Sequence, residues 1–548
     1  MSDIGSRATR RRPLTILGAA VLTLGSLTAP ASAAGAAEPA AERFAVTYPT
    51  TSGPAAAQVE EGFDIDVEAS RSGTLKADIR PVGRSGGGWI PLTLATELPN
   101  QAVRPGAVTA VAEPPVEASP GDYTVRVSLV ADDGQVVARD RVRSGVTIED
   151  HGLPTGFESS DGTAWTDFEQ EQSFIADLES ASPRAAVSVL GESVNGLPYN
   201  LLRIGSPSPP ALADIEGDAV LLVCSQHGDE PSGREACLQE ARRLSLTSDT
   251  RTRDYLADNT VLVVPSANPD GSMADTRENA HGVDLNRDHL RLEEPETRML
   301  AEVMRDARPE TVHDLHEMGG QDRPDLEVVW GRHLGIDEEV RAFGEAWGDD
   351  LVRPRTEAAG YSTGPYLANP GTGENMTLTN ASMFRELNGV ISETNTSVLA
   401  GETTQTSQLR RVEVQRITIG ETLRQQGFQK ERMVEAAANA KRRNIDMGYT
   451  QQGPYFFTGN SESPDPPLPS DYIMRVPCGY LLTEAQVAHR AVWTELWDVR
   501  TQPTSEAAYE AFVPMWQAPS SVIPLMMDDR AAGSNDIRAT PVDDCGDL

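Results

Sequence analysis

Apolar and polar positions first alternate in short stretches, from about Glu42 to Asp150. Runs such as Tyr-Thr-Val-Arg-Val-Ser-Leu place every second side chain on one face, and Gly- and Pro-containing turns separate them. The strands that this pattern predicts are Phe44–Tyr48, Phe63–Val67, Leu75–Ile79, Tyr123–Leu129, Val136–Arg141 and Val146–Ile148. We therefore expect an all-β sandwich of immunoglobulin-like shape over residues 42–150.

From about Phe174 the pattern changes to continuous apolar runs that alternate with helical stretches. Such runs are typical of strands buried on both faces, so they predict an α/β domain over residues 160–458, with a mainly parallel or mixed sheet flanked by helices. The runs are Ala219–Cys224, Thr260–Val264, Thr311–Leu315 and Gly389–Ser392. Residues Arg410 to Asp446 then have the periodicity of one long amphipathic helix.

The C-terminal part, residues 459–548, has a weaker pattern. Its first residues, Gly459 to Ser470, are rich in Pro, Ser and Asp and are typical of a linker or long loop. Beyond Tyr472 the pattern predicts one helix near Thr483–Leu496 and an irregular acidic tail.

The first 33 residues resemble an export signal. Four arginines between Arg7 and Arg12 precede an uncharged, mostly apolar stretch, and Ala31-Ser32-Ala33 provides small residues for cleavage. A membrane anchor is the alternative, but Gly25, Ser26 and Pro30 interrupt the stretch. We expect a secreted, extracellular protein, with the Sec and twin-arginine routes both open.

Charge and cysteine content narrow the function. The chain has 548 residues and a formal net charge of −35, which disfavours nucleic acid as a partner. Four cysteines allow one or two disulfides in an oxidising compartment. Cys478 and Cys545 are the better candidate pair, whereas Cys224 and Cys237 could pair or remain buried thiols.

Polar side chains with metal-site chemistry follow the buried runs. His227-Gly-Asp-Glu230 comes after the first run, Asn268-Pro-Asp-Gly after the second, and Asp314-Leu-His316-Glu317 ends the third. Glu393 ends the fourth run. Arg277 and the segment Gly282-Val-Asp-Leu-Asn-Arg-Asp lie between the second run and the third. The carboxyl ends of parallel strands lie at one edge of an open α/β sheet, so we expect these polar side chains to lie close together there. Six of the eight histidines lie between His227 and His333, which favours a metal site over scattered structural roles.

In their order along the chain, these motifs resemble those of the zinc metallocarboxypeptidases related to carboxypeptidase A. The resemblance covers about Phe174 to Arg410. It implies one Zn²⁺ per chain, held by His227, Glu230 and His316. It also implies that Arg277 stabilises the oxyanion and that Glu393 is the catalytic general base. Three residues are implied as substrate binders, namely Asn286, Arg287 and Tyr366.

Several neighbouring residues leave alternatives open. Tyr361 competes with Tyr366 as the tyrosine that covers the substrate, and His313 competes with His316 as the metal ligand. Asp314 could orient a histidine or be a solvated acid. We expect His281, His289 and His333 to be surface residues or to support the metal ligands, rather than to bind the metal. Solvated roles are expected for Glu317 and Glu374. Arg385 is expected on a charged loop face, with carboxylate binding as its alternative.

The function expected from the resemblance is hydrolysis of the C-terminal peptide bond by zinc-activated water. Its partners would be peptide or protein C-termini, with no nucleic acid and no stable membrane insertion after signal removal. A zinc amidohydrolase or deacylase acting on small acyl amino acids or cell-wall peptides would use the same residues. A non-catalytic secreted binding or adhesion protein is the alternative of another class. The sequence leaves oligomeric state open.

Overall fold

The computed structural model describes most of the chain beyond residue 44. The described residues are 45–47, 55–58, 63–69, 72–82, 89–95, 101–113, 121–131, 133–149, 152–247, 250–366, 376–531 and 537–545. The signal peptide expected at residues 1–33 and the acid Glu374 lie outside them. Among the helices within these ranges, none has an apolar stretch of the length needed to cross a bilayer.

The described residues before position 150 form strands. They are β1 (Ala45–Thr47), β2 (Ala55–Gln58), β3 (Phe63–Ala69), β4 (Gly73–Pro81), β5 (Ile90–Ala95), β6 (Ala102–Val103), β7 (Gly106–Glu113), β8 (Gly121–Val130) and β9 (Val136–Glu149). All six predicted runs fall on strands, but the last two are one continuous strand, β9. Their hydrogen-bonded order is β1-β3-β7-β5-β4-β8-β9-β2, with β6 beside β4. The immunoglobulin-like shape stays a prediction.

The next part of the chain alternates helices and strands as the pattern predicted. Its elements are α1 (Gly156–Ser159), α2 (Phe168–Ala181), β10 (Ala185–Glu192), β11 (Pro198–Ile204), β12 (Ala219–Cys224), α3 (Pro231–Leu246), α4 (Thr250–Asp258), β13 (Thr260–Val264), α5 (Pro269–Ala274), α6 (Pro295–Ala307), β14 (Thr311–Met318), β15 (Leu326–Trp330), α7 (Glu338–Ala346), α8 (Arg353–Ala358), β16 (Thr363–Pro365), α9 (Leu378–Met383), β17 (Asn388–Asn395) and α10 (Thr404–Thr450).

These strands form one mixed sheet in the order β10-β11-β13-β12-β14-β17-β15-β16. Strands β13, β12, β14 and β17 run parallel, whereas β11 and β15 pair antiparallel with the ends of this parallel set. Every residue of β12, β13 and β17 is buried, because helices cover both faces. The predicted mixed sheet flanked by helices is confirmed, and the long helix extends at both ends beyond its predicted bounds.

The C-terminal part is more regular than predicted. Its elements are β18 (Gln452–Phe456), β19 (Tyr472–Arg475), β20 (Gly479–Leu482), α11 (Glu484–His489), α12 (Ala491–Leu496), β21 (Gln502–Pro503), β22 (Ala511–Pro514), α13 (Ile523–Met527) and β23 (Thr540–Val542). The predicted single helix is interrupted at Arg490, and the expectation of an irregular tail is wrong. Trp493 and Ile523 share one apolar cluster with Trp330 of β15, so this part packs on the α/β sheet. Two-to-five-residue strands are too short for a recognisable pattern.

Both cysteine pairs form disulfides. Cys478, buried just before β20, is bonded to Cys545 and so fixes the end of the described chain to the small C-terminal sheet. Cys224, at the end of β12, is bonded to Cys237 on α3, which resolves the alternative of free thiols. The Cys224–Cys237 disulfide spans the turn that carries His227 and Glu230.

Candidate active site

The turn between β12 and α3 carries the first two metal-ligand candidates. His227 lies in the turn, and Glu230 is the residue directly before the first helical residue, Pro231. Gly228 allows this turn to touch the next motif, since a Cβ there would lie 2.0 Å from the backbone carbon of Gly271. A side chain at position 228 would therefore force the two loops apart.

The third candidate, His316, reaches the same point from β14. Its Nδ1 atom lies 2.9 Å from Nδ1 of His227 and 2.8 Å from Oε2 of Glu230. The other oxygen of Glu230, Oε1, lies 2.8 Å from Nδ1 of His227. One ligand atom from each residue fits within 4.8 Å of the others, and all three residues are buried.

Two further carboxylates hold the outer nitrogens of these imidazoles. Asp284 Oδ1 lies 3.1 Å from Nε2 of His227, and Asp314 Oδ2 lies 2.8 Å from Nε2 of His316. With an N–H at Nε2 bonded to each carboxylate, the neutral imidazoles would turn the lone pair of each Nδ1 towards the gap beside Glu230. Asp314 therefore orients a histidine, and its solvated alternative is wrong.

The local charges favour a cation in that gap. Burial lowers the pKa of His316, but Asp314 and Glu230 raise it more, so its pKa lies well above the usual value. Burial raises the pKa of Glu230, but His227 and His316 lower it more strongly, so the net direction is downward. Two imidazoles and a carboxylate are the donor set of open zinc sites, and these three residues could hold such an ion.

Glu393 lies near the end of β17, directly opposite His316 in the parallel pairing of β14 and β17. Its side chain lines the same cavity as the three donors. Its Oε2 atom is buried and has no hydrogen-bond partner in the described structure. Burial raises the pKa of Glu393 to about 7. An unpartnered carboxyl group with such a pKa can accept and return a proton near neutral pH.

Arg277 is held against the ligands by its own carboxylate partner. Its Nε and Nη2 donate to Oδ2 of Asp284 at 3.1 and 2.9 Å, and Nη1 lies 3.3 Å from Oε1 of Glu230. The loop that carries it is fixed by Asn268, whose Nδ2 donates to the Arg277 carbonyl at 3.2 Å. Arg277 thus brings a positive charge to the edge of the donor set.

Asn286 and Arg287 lie in a short 3₁₀ turn, Leu285–Arg287, after Asp284. The Asn286 Oδ1 accepts the Leu378 N–H at 2.8 Å, and its Nδ2 lies 3.2 Å from Nε2 of His316. Arg287 donates through Nη1 to the Asn286 carbonyl at 2.7 Å. Both residues line the cavity, so the guanidinium lies within the same pocket as the metal-ligand candidates.

The cavity has a volume of about 250 Å³. Tyr366 lines it, whereas Tyr361 donates its hydroxyl to Glu413. The described part of the chain therefore brings together all eight predicted site residues, although their roles stay predictions. The residues that line the cavity are His227, Glu230, Arg277, Asn286, Arg287, His316, Glu317, Met318, Gly319, Val329, Trp330, Arg332, Tyr366, Thr377, Thr379, Asn380, Ile391 and Glu393.

The competing histidine of β14 lies outside this site. His313 is fully buried, with Nε2 2.9 Å from Ser392 Oγ and Nδ1 3.0 Å from Thr422 Oγ1. Its ring packs edge-on against Trp347. Burial lowers the pKa of His313 to about 3, so it is a neutral core residue.

Two expectations of solvated side chains are wrong, those for Glu317 and Arg385. Glu317 is buried, accepts the Ser232 N–H at 2.5 Å and pairs with Arg411 of α10. Arg385 is partly buried because the C-terminal part covers its guanidinium, whose carbon lies 3.8 Å from the centre of the Trp497 ring. His289 and His333 are both buried, so the surface role is excluded for them. His281 is more than half exposed, as expected.

Sequence reasoning missed the roles of Asp284 and Gln226. Asp284 lies inside the Gly-Val-Asp-Leu-Asn-Arg motif, and its position among metal-site residues was an available signal. Gln226 donates to Asp314 Oδ2 at 2.8 Å, and His289 Nε2 lies 2.5 Å from Gln226 Oε1. No sequence signal identifies these two contacts of Gln226, because they join residues more than sixty positions apart.

Comparison with known proteins finds similarity to zinc carboxypeptidases over part of the chain. Residues 171–321 match the family model described as zinc carboxypeptidase. Carboxypeptidase SOL1 of Arabidopsis thaliana is 35% identical over 182 residues, which cover 30% of this chain and 34% of that protein. Carboxypeptidase 2 of Trichophyton rubrum is 29% identical over 224 residues, 38% of this chain and 41% of that protein. The chain thus spans about a third to two fifths of these relatives.

Among solved structures, the metallo-carboxypeptidase from Burkholderia cenocepacia aligns over 70% of this chain and 99% of that chain. The identity is 15% and the TM-score is 0.38. The family match and the sequence relatives together confirm the resemblance drawn from the motifs: residues 171–321 are similar to zinc carboxypeptidases.

Proposed function

We propose that this chain is an exported, zinc-dependent carboxypeptidase that releases residues from the C-termini of peptides or proteins. One observation carries the proposal. The inward-facing nitrogens of His227 and His316 and the carboxylate of Glu230 meet in one cavity with Glu393 and Arg287. A metal-binding set, a proton acceptor and a carboxylate receptor are therefore adjacent.

His227, Glu230 and His316 would hold one zinc ion per chain, and that ion would supply the Lewis acidity that lowers the pKa of a water molecule towards neutrality. Glu393 takes a proton from the attacking water on its unpartnered carboxylate oxygen and delivers it to the leaving amine. Arg277, next to the ligands, stabilises the negative charge that develops on the carbonyl oxygen.

Recognition of a chain end falls to Arg287, Asn286 and Tyr366, which line the same cavity. The Arg287 guanidinium offers parallel N–H donors to a carboxylate, and Asn286 adds an amide. Tyr366 covers the substrate from the cavity wall. A receptor of this kind favours a free terminal carboxylate over an internal peptide bond.

Secretion belongs to the same proposal. The basic, apolar and small-residue segments of residues 1–33 have the order of a cleaved signal. Both disulfides of the described chain fit an oxidising compartment outside the cytoplasm.

The test compares peptides that differ only in a free or an amidated C-terminus. A chelator should abolish release of single residues, and added zinc should restore it. Arg287 is exposed at the cavity, and a bound chain end would bury the charge pair that it forms with Arg287. The free peptide should therefore be cut faster by about 30-fold to several thousand-fold, since losing one side of a buried charge pair costs about 2–5 kcal/mol. Arg287→Ala should remove this preference, mainly by slowing the free-acid reaction.

Equal cleavage of both peptides, or release of internal fragments, would favour a general amidohydrolase or an endopeptidase. Zinc-loaded protein that hydrolyses no peptide would favour the non-catalytic binding function. Each result therefore selects one of the three functions considered.

A further inference from the structure

We infer that Gln226, held in turn by His289, is a positioning residue that directs Asp314 at His316 and thereby raises the zinc affinity of the site; the inference rests on the proposed function. Gln226 directly precedes His227 in the turn after β12, and its side chain is fully buried. Its Nε2 donates to Oδ2 of Asp314 at 2.8 Å, and the same oxygen lies 2.8 Å from Nε2 of His316. One carboxylate oxygen therefore joins the amide to the imidazole.

The two carboxylates that face the imidazoles are held in different ways. Asp284 accepts the guanidinium of Arg277 at 2.9 and 3.1 Å and the backbone N–H of Asn286 at 2.9 Å. Asp314 accepts the Asn286 amide at the longer distance of 3.4 Å, and its Oδ1 is buried without a hydrogen-bond partner in the described structure. The short bond from Gln226 is therefore the main contact that fixes Asp314 from the side away from the metal site.

His289 determines which way the Gln226 amide faces. Its Nε2 lies 2.5 Å from Oε1 of Gln226, and an amide oxygen can only accept, so the imidazole hydrogen is at Nε2. Burial lowers the pKa of His289 to about 4, which leaves the ring neutral with this single N–H. With its oxygen engaged by His289, the amide presents its N–H groups to Asp314. The reversed amide would place its oxygen against the carboxylate and leave the imidazole N–H facing another donor.

The backbone around His289 is itself fixed. The His289 N–H donates to the Met376 carbonyl at 3.1 Å. The carbonyl of the next residue, Leu290, accepts the indole N–H of Trp493 at 2.8 Å and that of Trp497 at 3.3 Å, both from the C-terminal part. The ring is fully buried and cannot move without breaking these contacts. The chain His289–Gln226–Asp314–His316 therefore starts from a rigid point.

The test measures the zinc affinity of the metal-free full chain by competition with a chromophoric chelator, so it needs no peptide hydrolysis. Gln226→Met keeps the length of the side chain and removes both of its hydrogen bonds. We expect its Kd for zinc to rise about 10- to 100-fold, as for other losses of support behind a ligand. His289→Leu should also raise the Kd, whereas His289→Gln, whose amide can donate to the same oxygen, should stay within about threefold of wild type.

A double-mutant cycle shows whether Gln226 acts through Asp314. Its Nε2 also lies 3.4 Å from Nε2 of His316, and its backbone adjoins His227, so a direct effect on the ligands is the alternative. In the background of Asp314→Ala, we expect Gln226→Met to raise the Kd by less than about threefold, because the group that it positions is gone. A direct or general structural effect would instead add its full factor.

Gln425→Met is the matched control. Gln425 is also fully buried, accepts one hydrogen bond from Asn388 and donates one to the Phe343 carbonyl, but it does not line the cavity. This variant should lower the melting temperature and leave the zinc Kd unchanged.

An unchanged Kd in folded Gln226→Met would overturn the inference, as would the full additional loss in the Asp314→Ala background. If Gln226→Met does not fold, an unchanged Kd in His289→Leu would do the same. A failure of His289→Gln to retain affinity would overturn the role of His289. Wild-type protein that binds no zinc would refute the inference and the proposed function together. Zinc binding with the expected losses but no hydrolysis of any peptide would refute the proposed function alone.

Discussion

Replacing Glu393 with Gln tests the proposed proton transfer with little structural disturbance. The carboxylate is buried at the cavity wall, and its Oε2 has no hydrogen-bond partner in the described structure. Gln has nearly the same volume, so the change removes a charge and a proton acceptor without breaking an ion pair. The three metal-ligand candidates keep all of their contacts.

The expected loss is in turnover. General-base catalysis contributes about 10²–10⁴-fold, or about 3–5 kcal/mol of activation free energy, and Gln has no basic oxygen to replace it. We expect kcat to fall by that factor, with zinc content unchanged. The melting temperature should not fall, because burial disfavours the charged carboxylate, as the pKa of about 7 indicates.

Initial rates on a free-acid peptide, metal analysis and thermal unfolding measure the three expectations. Glu327→Gln is the matched control, since Glu327 is directly opposite Glu393 on β15 but pairs with Arg323 and does not line the cavity. It should keep nearly wild-type turnover. A Glu393→Gln enzyme with an undiminished rate and normal zinc content would refute the assignment of Glu393 as the base.

Two further predictions concern stability and processing. Burial raises the pKa of Glu386 from 4.5 to about 8, so the folded state binds this proton more tightly and loses stability as pH rises through that range. The Gln side chain of Glu386→Gln can still accept the hydrogen bond from Asn444. This variant should therefore melt at a higher temperature than wild type at pH 9 but not at pH 4.5. The exposed control Glu338→Gln should show no such gain at pH 9. Secreted protein should begin near Ala34 on N-terminal sequencing, and an intact Met1 in that material would contradict the signal peptide.

The central strands were predictable because their burial is recorded in the sequence itself. Runs such as Ala219–Cys224 are apolar at nearly every position, because a strand that is covered on both faces has no side that contacts solvent. Strands β10 and β11 were missed, since these antiparallel strands contain polar residues such as Ser188 and Arg203. Their pairing depends on the neighbouring sheet rather than on their own pattern.

The metal-ligand candidates were predictable for a different reason. Each motif follows a predicted strand, and parallel strands bring their carboxyl ends to one edge. The surroundings of Glu317 and Arg385 could not be predicted in this way. Arg411 comes from a helix 94 positions away, and Trp497 from a C-terminal part with no clear pattern, so both charges were expected to face solvent.

The distribution of charge also explains how an acidic protein can receive an anionic chain end. The net charge of −35 is spread over the whole molecule, whereas Arg277, Arg287 and Arg332 all line one cavity. At physiological ionic strength the Debye length is about 8 Å, so distant surface carboxylates are largely screened from a bound peptide. Charges inside the cavity are screened much less. Under the proposed function, recognition of the terminal carboxylate is therefore decided by Arg287 and the charges near it in the cavity, and the overall charge acts mainly on the approach of the peptide.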